Sequence, residues 1–337
     1  MLAPSRVGVF ALLLSSGRGR APCPHKLALR ALRSCLFVLC GCALAQNIPS
    51  QPAPDFKQLV RLFDYDQRAP LDFREQIIDR KEGVTIRDIS YASPKGGRVT
   101  GFLVVPDQPG PHPAILFGHW GPGNRTEFLP EAIMYGKLGA VSLMIDYPWV
   151  RPAPWRVPLS NGVEQPEHDR DTEIQAVVDL RRGLDLLASR SDVDPKRIAY
   201  VGHSYGAQWG AILSAIDKRL KTAILMGGVR SAADIYLRNP DPDLAAMRAK
   251  TPLPTIENYL ALVGVLDAVR YVPHSRIPLL FQFARYERYF DKESMDGYFD
   301  AAARPKEEFW YDTGHELNDP KALEDRHEWL RKYIGLR

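Results

Sequence analysis

The residues best suited to chemistry lie in the pentapeptide GHSYG, which is centred on Ser204. Apolar residues typical of a strand precede it in 197–203, and a helix-compatible segment follows in 204–216. We therefore expect Ser204 at a sharp turn between a strand and a helix, where Gly202 and Gly206 avoid clashes with neighbouring backbone. The N–H groups and dipole of the helix would favour negative charge there. The pattern predicts a nucleophilic serine; the alternative is an ordinary glycine-serine turn.

A serine hydroxyl is a weak nucleophile unless a general base takes its proton, and histidine most often does so. His315 is the candidate base because it comes directly after a predicted strand at 307–313. The carboxyl ends of parallel strands form one edge of a sheet, so His315 and Ser204 are expected to meet there. His168 and His274 lie in irregular segments and remain alternatives.

A catalytic histidine needs a carboxylate that fixes its tautomer and stabilises its charged form. In the chain order serine, acid, histidine, the acid would follow the predicted strand 276–284. Position favours Glu287, four residues past Phe283, and Asp291 is the second choice. The alternative for either carboxylate is a surface ion pair with a neighbouring arginine.

The tetrahedral intermediate of acyl transfer carries an oxyanion, which N–H groups must stabilise. One expected donor is the backbone N–H of Tyr205, directly after the candidate nucleophile. The second is expected from the glycine-rich loop GHWGPG at 118–123, where either Gly121 or Trp120 could supply it. Three side chains are predicted, on weaker grounds, to line a substrate pocket, namely His119, Trp149 and Trp155. The alternative for the two pocket tryptophans is packing in the core.

Composition argues against several other kinds of chemistry. All four cysteines lie within residues 1–45, so the rest of the chain has no cysteine nucleophile, disulfide or thiolate metal site. No metal or cofactor is expected. The net charge of +4 comes from residues 1–54, which hold six basic residues and no acidic one, whereas the other 38 basic and 40 acidic residues give −2. Residues 55–337 therefore have no electrostatic reason to bind nucleic acid.

Residues 1–45 have the order of an export signal. The basic segment KLALRALR at 26–33 precedes a short apolar run at 34–45 that ends in Ala-Leu-Ala, which predicts Gln46 as the first mature residue. The apolar run is too short for an ordinary transmembrane helix. Residues 1–25 would then be an upstream extension from an over-long start assignment.

Strands alternate with helices over most of residues 83–337, which predicts a mostly parallel sheet covered by helices on both faces. Two β-rich runs at 83–92 and 98–106 flank Pro-Lys-Gly-Gly and predict an antiparallel N-terminal hairpin at one edge. Residues 231–270 are expected to form a cap-like helical insertion before the acid-bearing strand. Residues 46–82 are predicted to be a linker followed by a helical segment, outside the catalytic domain.

Four motifs together resemble the α/β-hydrolase superfamily: GHWGPG, GHSYG, LLFQFARYE and DTGHEL. The resemblance covers about residues 83–337 and points to the branch of dienelactone-hydrolase-like esterases, acetyl-xylan-esterase-like proteins and prolyl-oligopeptidase catalytic domains. Dienelactone hydrolases proper use a cysteine, which this domain lacks. The resemblance implies the α/β-hydrolase fold and a set of roles: Ser204 as nucleophile, Glu287 as acid, His315 as base, and Tyr205 with Gly121 as oxyanion donors.

We therefore expect a serine esterase that cleaves a small-molecule carboxylic ester through an acyl-enzyme. The alternatives are a peptidase or amidase of the prolyl-oligopeptidase type and a non-catalytic binding protein on the same fold. The export signal predicts a periplasmic or extracellular protein without a membrane span after cleavage. Transit to an organelle and a lipid anchor at Cys42 are less favoured, and the sequence does not indicate an oligomeric state.

Overall fold

A computed structural model describes residues 55–160 and 162–337 of the chain. The predicted export signal, its cleavage site and the possible anchor at Cys42 lie outside these described residues. Among the helices of the described ranges, none is both long enough and apolar enough to cross a bilayer.

Nine strands form one mixed sheet in the order β1-β2-β3-β5-β4-β6-β7-β8-β9. Strands β1, β2 and β3 pair antiparallel, as do β3 and β5, and every other neighbouring pair is parallel. The strands are β1 Arg74–Lys81, β2 Val84–Ala92, β3 Arg98–Pro106, β4 His112–Gly118, β5 Val141–Ile145, β6 Val193–His203, β7 Leu220–Met226, β8 Leu279–Ala284 and β9 Lys306–Tyr311.

Helices cover both faces of this sheet. They are α1 Phe56–Arg61, α2 Leu129–Lys137, α3 Pro166–Ser189, α4 Tyr205–Ile216, α5 Pro242–Lys250, α6 Leu253–Val263, α7 Lys292–Ala301 and α8 Pro320–Ile334. Helices α3, α4 and α7 pack in one apolar layer, and α2 and α8 pack in the other. Successive side chains of a strand point to opposite faces of the sheet, so each strand contributes to both layers. In β4, Leu116 belongs to the first layer and Phe117 to the second.

This architecture confirms the predicted fold class, including the antiparallel N-terminal hairpin and the helical insertion before β8. The inserted helices are a π-helical turn at Asp234–Arg238, then α5 and α6. Because β4, β6, β7, β8 and β9 run parallel, their carboxyl ends share one edge. The loops after these strands carry the candidate site residues.

Two elements differ from the sequence-based expectation. Residues 74–81, assigned to a linker and helical segment, form strand β1, which is almost wholly exposed and pairs along β2. With neither face buried, β1 has no need for the apolar alternation that identifies a strand. Residues 166–169, expected to belong to an irregular segment, form the first turn of α3, which begins with Pro166 at a position where proline is tolerated.

A buried carboxyl group in α3 makes stability depend on pH. Burial raises the pKa of Glu173 from 4.5 to about 8, and the charges of Asp169 and Asp267 act in the same direction. Between these two pKa values the unfolded chain loses a proton that the folded chain keeps. Folding therefore becomes less favourable as the pH rises through this window.

Replacing Glu173 with glutamine is expected to remove this loss. The free energy of unfolding of Glu173→Gln, relative to the unsubstituted protein, should rise with pH by at most about 1.4 kcal/mol per pH unit between pH 4.5 and 8. Urea denaturation at pH 5, 6, 7 and 8 measures this difference. A difference that stays constant over the range would show that Glu173 is not protonated in the folded state.

Candidate active site

Ser204 occupies a strained turn between β6 and α4. Its backbone has φ 55° and ψ −111°, a conformation that a residue with a side chain rarely adopts. The Ser204 N–H donates to the carbonyl oxygen of Met226 at 2.8 Å, which ties the turn to β7. A Cβ atom on Gly206 would overlap the carbonyl oxygen of Gly118, and one on Gly202 would overlap the Gly206 carbonyl. Both flanking glycines are therefore required by close backbone approach, as the motif predicts.

His315 and Glu287 lie side by side in the loops after β9 and β8. The His315 Nδ1 atom is 2.7 Å from Glu287 Oε2, and each side chain is only 2% exposed. The other carboxylate oxygen, Oε1, accepts the backbone N–H of Tyr289 at 2.9 Å. With Nδ1–H donating to the carboxylate, His315 has its Nε2 lone pair available as a base.

The alternative acid and the two alternative bases have other partners in the structure. Asp291 caps the N-terminus of α7, where it accepts the Ser294 N–H at 2.8 Å, and its other oxygen pairs with Arg238. His168 is an exposed residue that contacts the carbonyl of Pro158, and His274 stacks on Phe56. Of the predicted acids and bases, only Glu287 and His315 contact each other among the described residues.

A cavity of about 320 Å³ connects the candidate nucleophile with the candidate base. Its lining is mainly apolar and aromatic: Trp120, Gly121, Pro122, Ser204, Tyr205, Gln208, Ile235, Tyr236, Asn239, Leu244, Tyr289, Phe290 and His315. Ser204 and His315 both face this space, although no hydrogen bond joins them in the described part of the chain. The cavity is also lined by Tyr205 and Gly121, so residues that follow β4, β6, β8 and β9 meet at this one space.

The loop after β4 distinguishes between the two candidate oxyanion donors. The N–H of Trp120 donates to Glu127 Oε2 at 2.7 Å and is therefore already used. The N–H of Gly121 has no acceptor among the described residues, and the Gly121 backbone lies against the ring of Tyr205. Gly121 rather than Trp120 is thus placed to work with the N–H of Tyr205, which begins α4.

His119 has a different place from the one the sequence suggested. It is 2% exposed and does not line the cavity. Its Nε2 accepts the N–H of Tyr147 at 3.1 Å, so its single hydrogen is on Nδ1, which donates to the Trp120 carbonyl at 2.6 Å. Burial lowers the pKa of His119 to about 3, which agrees with this neutral tautomer. In a trans peptide the N–H points opposite to the carbonyl, so His119 orients the N–H of Gly121.

The two tryptophans predicted to line the pocket also lie elsewhere. Trp149 donates its Nε1–H to the carbonyl oxygen of Gly121 at 2.7 Å and packs its ring against Tyr205. It therefore holds the loop after β4 in place and is not itself part of the cavity lining. Trp155 packs beside Gly97 in the turn between β2 and β3, away from the cavity.

Glu127 is a residue that sequence reasoning missed. Its Oε1 lies 2.7 Å from His203 Nδ1, and His203 Nε2 lies 2.8 Å from the carbonyl oxygen of His315. A carbonyl oxygen only accepts, so Nε2 must carry a hydrogen. Glu127 thereby links the loop at Trp120, the turn at His203 and the backbone of His315.

A pair of substitutions tests this reading of Glu127. Glutamine can accept the Trp120 N–H through Oε1 and donate to His203 Nδ1 through Nε2, so Glu127→Gln should stay within about 1 kcal/mol of the original free energy of unfolding. Glu127→Ala leaves both partners unsatisfied and should cost about 2 kcal/mol or more. Urea denaturation measures both values. Equal destabilisation by the two variants would contradict the hydrogen-bond assignment.

Other cavity residues were not predicted from the sequence. Gln208 lies one helical turn after Ser204, a position that periodicity identifies, but its polarity is ordinary for a helix. Tyr289 and Phe290 contact the ring of His315 edge-on, and only the folded loop shows it. No group of three or more metal-binding side chains occurs within 55–160 and 162–337.

No family model matches the chain. An uncharacterized protein of Mycobacterium tuberculosis is 26% identical over 240 residues, which are 71% of this chain and 75% of that protein.

Solved structures cover more of the chain at lower identity. An acetyl xylan esterase of Paenibacillus sp. R4 is 21% identical with a TM-score of 0.70, covering 83% of this chain and 93% of that one. Acetyl xylan esterase 1 of Thermoanaerobacterium sp. JW/SL YS485 is 15% identical with a TM-score of 0.71, covering 84% and 95%. The chain therefore has the α/β-hydrolase fold, which it shares with these acetyl xylan esterases.

Proposed function

We propose that the protein is a serine hydrolase that cleaves small carboxylic esters through an acyl-enzyme. The observation that carries the proposal is the buried contact of 2.7 Å between His315 Nδ1 and Glu287 Oε2, beside a cavity that Ser204 also faces. A histidine oriented by a buried carboxylate is what a serine needs to become a nucleophile.

In the first half of the reaction, Ser204 Oγ attacks the ester carbonyl while His315 Nε2 takes the hydroxyl proton. The N–H groups of Gly121 and Tyr205 stabilise the oxyanion that forms. The negative charge of Glu287 stabilises the imidazolium. His315 then gives its proton to the departing alcohol oxygen, which leaves the acyl group on Ser204.

In the second half, a water molecule takes the place of the alcohol. His315 removes a proton from this water as it attacks the acyl carbonyl, and the same two N–H groups stabilise the second oxyanion. Collapse of this intermediate releases the carboxylic acid and returns the proton to Ser204 Oγ. These steps use only side chains and backbone of this chain together with water.

The size and lining of the cavity favour a short acyl group. A volume of about 320 Å³ is at the lower end for small-molecule sites, and most of its lining is apolar or aromatic. The shared fold with acetyl xylan esterases makes acetyl esters the first substrates to examine. We therefore expect acetate and butyrate esters to be better substrates than octanoate esters.

A substrate panel tests the proposal against its alternatives. The full chain is assayed with p-nitrophenyl acetate, butyrate and octanoate and with alanine p-nitroanilide, and Ser204→Ala is the control. The proposal predicts turnover of the short esters, with a kcat/KM at least about 100-fold above that of the anilide. Preference for the anilide would indicate an amidase, and no Ser204-dependent turnover of any substrate would indicate a binding protein.

A further inference from the structure

A second and much smaller cavity adjoins the one that contains Ser204. The two cavities share four lining residues: Tyr205, Gln208, Ile235 and Tyr236. The smaller one has room for about 20 Å³, which is enough for a single water-sized group. It lies between α3, α4 and α6, on the inner side of the helical insertion.

Two buried N–H donors at this small cavity have no partner. Gln208 Nε2 and Trp209 Nε1 are both shielded from solvent, and neither makes a hydrogen bond within the described part of the chain. Gln208 is 8% exposed and lines both cavities. A buried donor without an acceptor is unfavourable, so an oxygen atom placed there would gain binding free energy.

A carboxyl group lines the same small cavity from α3. Glu173 is 8% exposed, and its carboxyl group makes no hydrogen bond among the described residues. Its raised pKa of about 8 leaves it mainly uncharged at neutral pH, so it both donates and accepts. Asp267 lies nearby and uses Oδ1 to accept the Ala232 N–H at 2.7 Å.

We propose that this small cavity binds a hydroxyl group of the ester substrate. A hydroxyl has the volume of a water molecule, accepts a hydrogen bond from Gln208 Nε2 and donates one to Glu173. No lysine, arginine or histidine of the described residues lines the small cavity to hold an anionic group, and an ammonium group would leave the amide donor of Gln208 unsatisfied. The inference rests on the proposed ester hydrolysis and names hydroxylated esters as its preferred substrates.

Matched ester pairs test the inference and locate the hydroxyl on the substrate. On the acyl side, p-nitrophenyl 6-hydroxyhexanoate and 3-hydroxyhexanoate are compared with p-nitrophenyl hexanoate. On the alcohol side, 2-hydroxyethyl hexanoate is compared with propyl hexanoate. We expect kcat/KM to be about 10-fold higher for the hydroxylated member of at least one pair. The pair that shows the preference identifies which side of the ester reaches the cavity.

Substitutions at the small cavity should change this ratio. Gln208→Leu and Glu173→Leu should each bring the preference to about 1. Glu173→Gln, which still donates and accepts, should keep it. Gln76→Leu on the exposed strand β1 is the matched surface control.

The outcomes separate the two proposals. Equal turnover of both members in every pair by the unsubstituted protein would overturn the hydroxyl site while leaving ester hydrolysis intact. A preference that persists unchanged in Gln208→Leu would also overturn it. No turnover of any ester would overturn both. The wild-type ratios and Glu173→Gln keep the test decisive even where a leucine variant does not fold.

Discussion

Replacing Ser204 with alanine is expected to lower kcat/KM for a short p-nitrophenyl ester at least about 1,000-fold. Alanine keeps the Cβ atom, so the strained backbone at φ 55° is retained while the attacking oxygen is lost. The rate at which p-nitrophenol is released measures the effect.

Ser214→Ala is the matched control for this loss. Ser214 lies on α4, the helix that follows Ser204; it is also buried, and its hydroxyl donates only to the carbonyl oxygen of Ala211. Its replacement should leave kcat/KM within about 3-fold. Circular dichroism and the urea midpoint of Ser204→Ala establish that the variant is folded. A folded Ser204→Ala protein with normal turnover would contradict the proposed nucleophile.

Replacing Glu287 with glutamine is expected to lower kcat by about 100- to 10,000-fold. Glutamine can accept the Tyr289 N–H through its carbonyl oxygen and turn its amide toward His315 Nδ1. The imidazole would then carry its hydrogen on Nε2, where it cannot accept the Ser204 proton. KM should change far less, because Glu287 contacts the histidine rather than the ester.

Asp291→Asn is the matched control for Glu287→Gln, and it tests the alternative acid directly. Asparagine is a good N-terminal cap, so α7 should be retained and kcat should stay within about 3-fold. The reverse result, with a large loss in Asp291→Asn and little change in Glu287→Gln, would transfer the role of acid to Asp291.

The sequence was most informative where the residue type itself is constrained. The turn at Ser204 requires glycine at 202 and 206 because backbone from β4 and α4 approaches closely there, so the motif and its geometry coincide. Strands β2 and β3 are runs rich in β-branched residues, and the ranges predicted for them, 83–92 and 98–106, agree with the structure to within one residue. Fold class followed from these elements and their order.

Features set by long-range contact were not predictable in the same way. Whether the N–H of Trp120 or that of Gly121 is free to donate to an oxyanion depends on Glu127. This residue lies seven positions after Trp120 and accepts the Trp120 N–H. His119 was predicted on weaker grounds to line the substrate pocket, yet both of its ring nitrogens bind backbone. Polar partners of this kind leave no periodic pattern in the sequence.

The central claim is that Ser204 is the nucleophile of a triad with His315 and Glu287. The most direct test incubates the full chain with a fluorophosphonate and locates the covalent adduct by peptide mass spectrometry. We expect one adduct per chain, on the peptide that contains Ser204, and labelling at least about 100-fold slower in His315→Ala. An adduct on another residue, or equally fast labelling of Ser204 in His315→Ala, would contradict it.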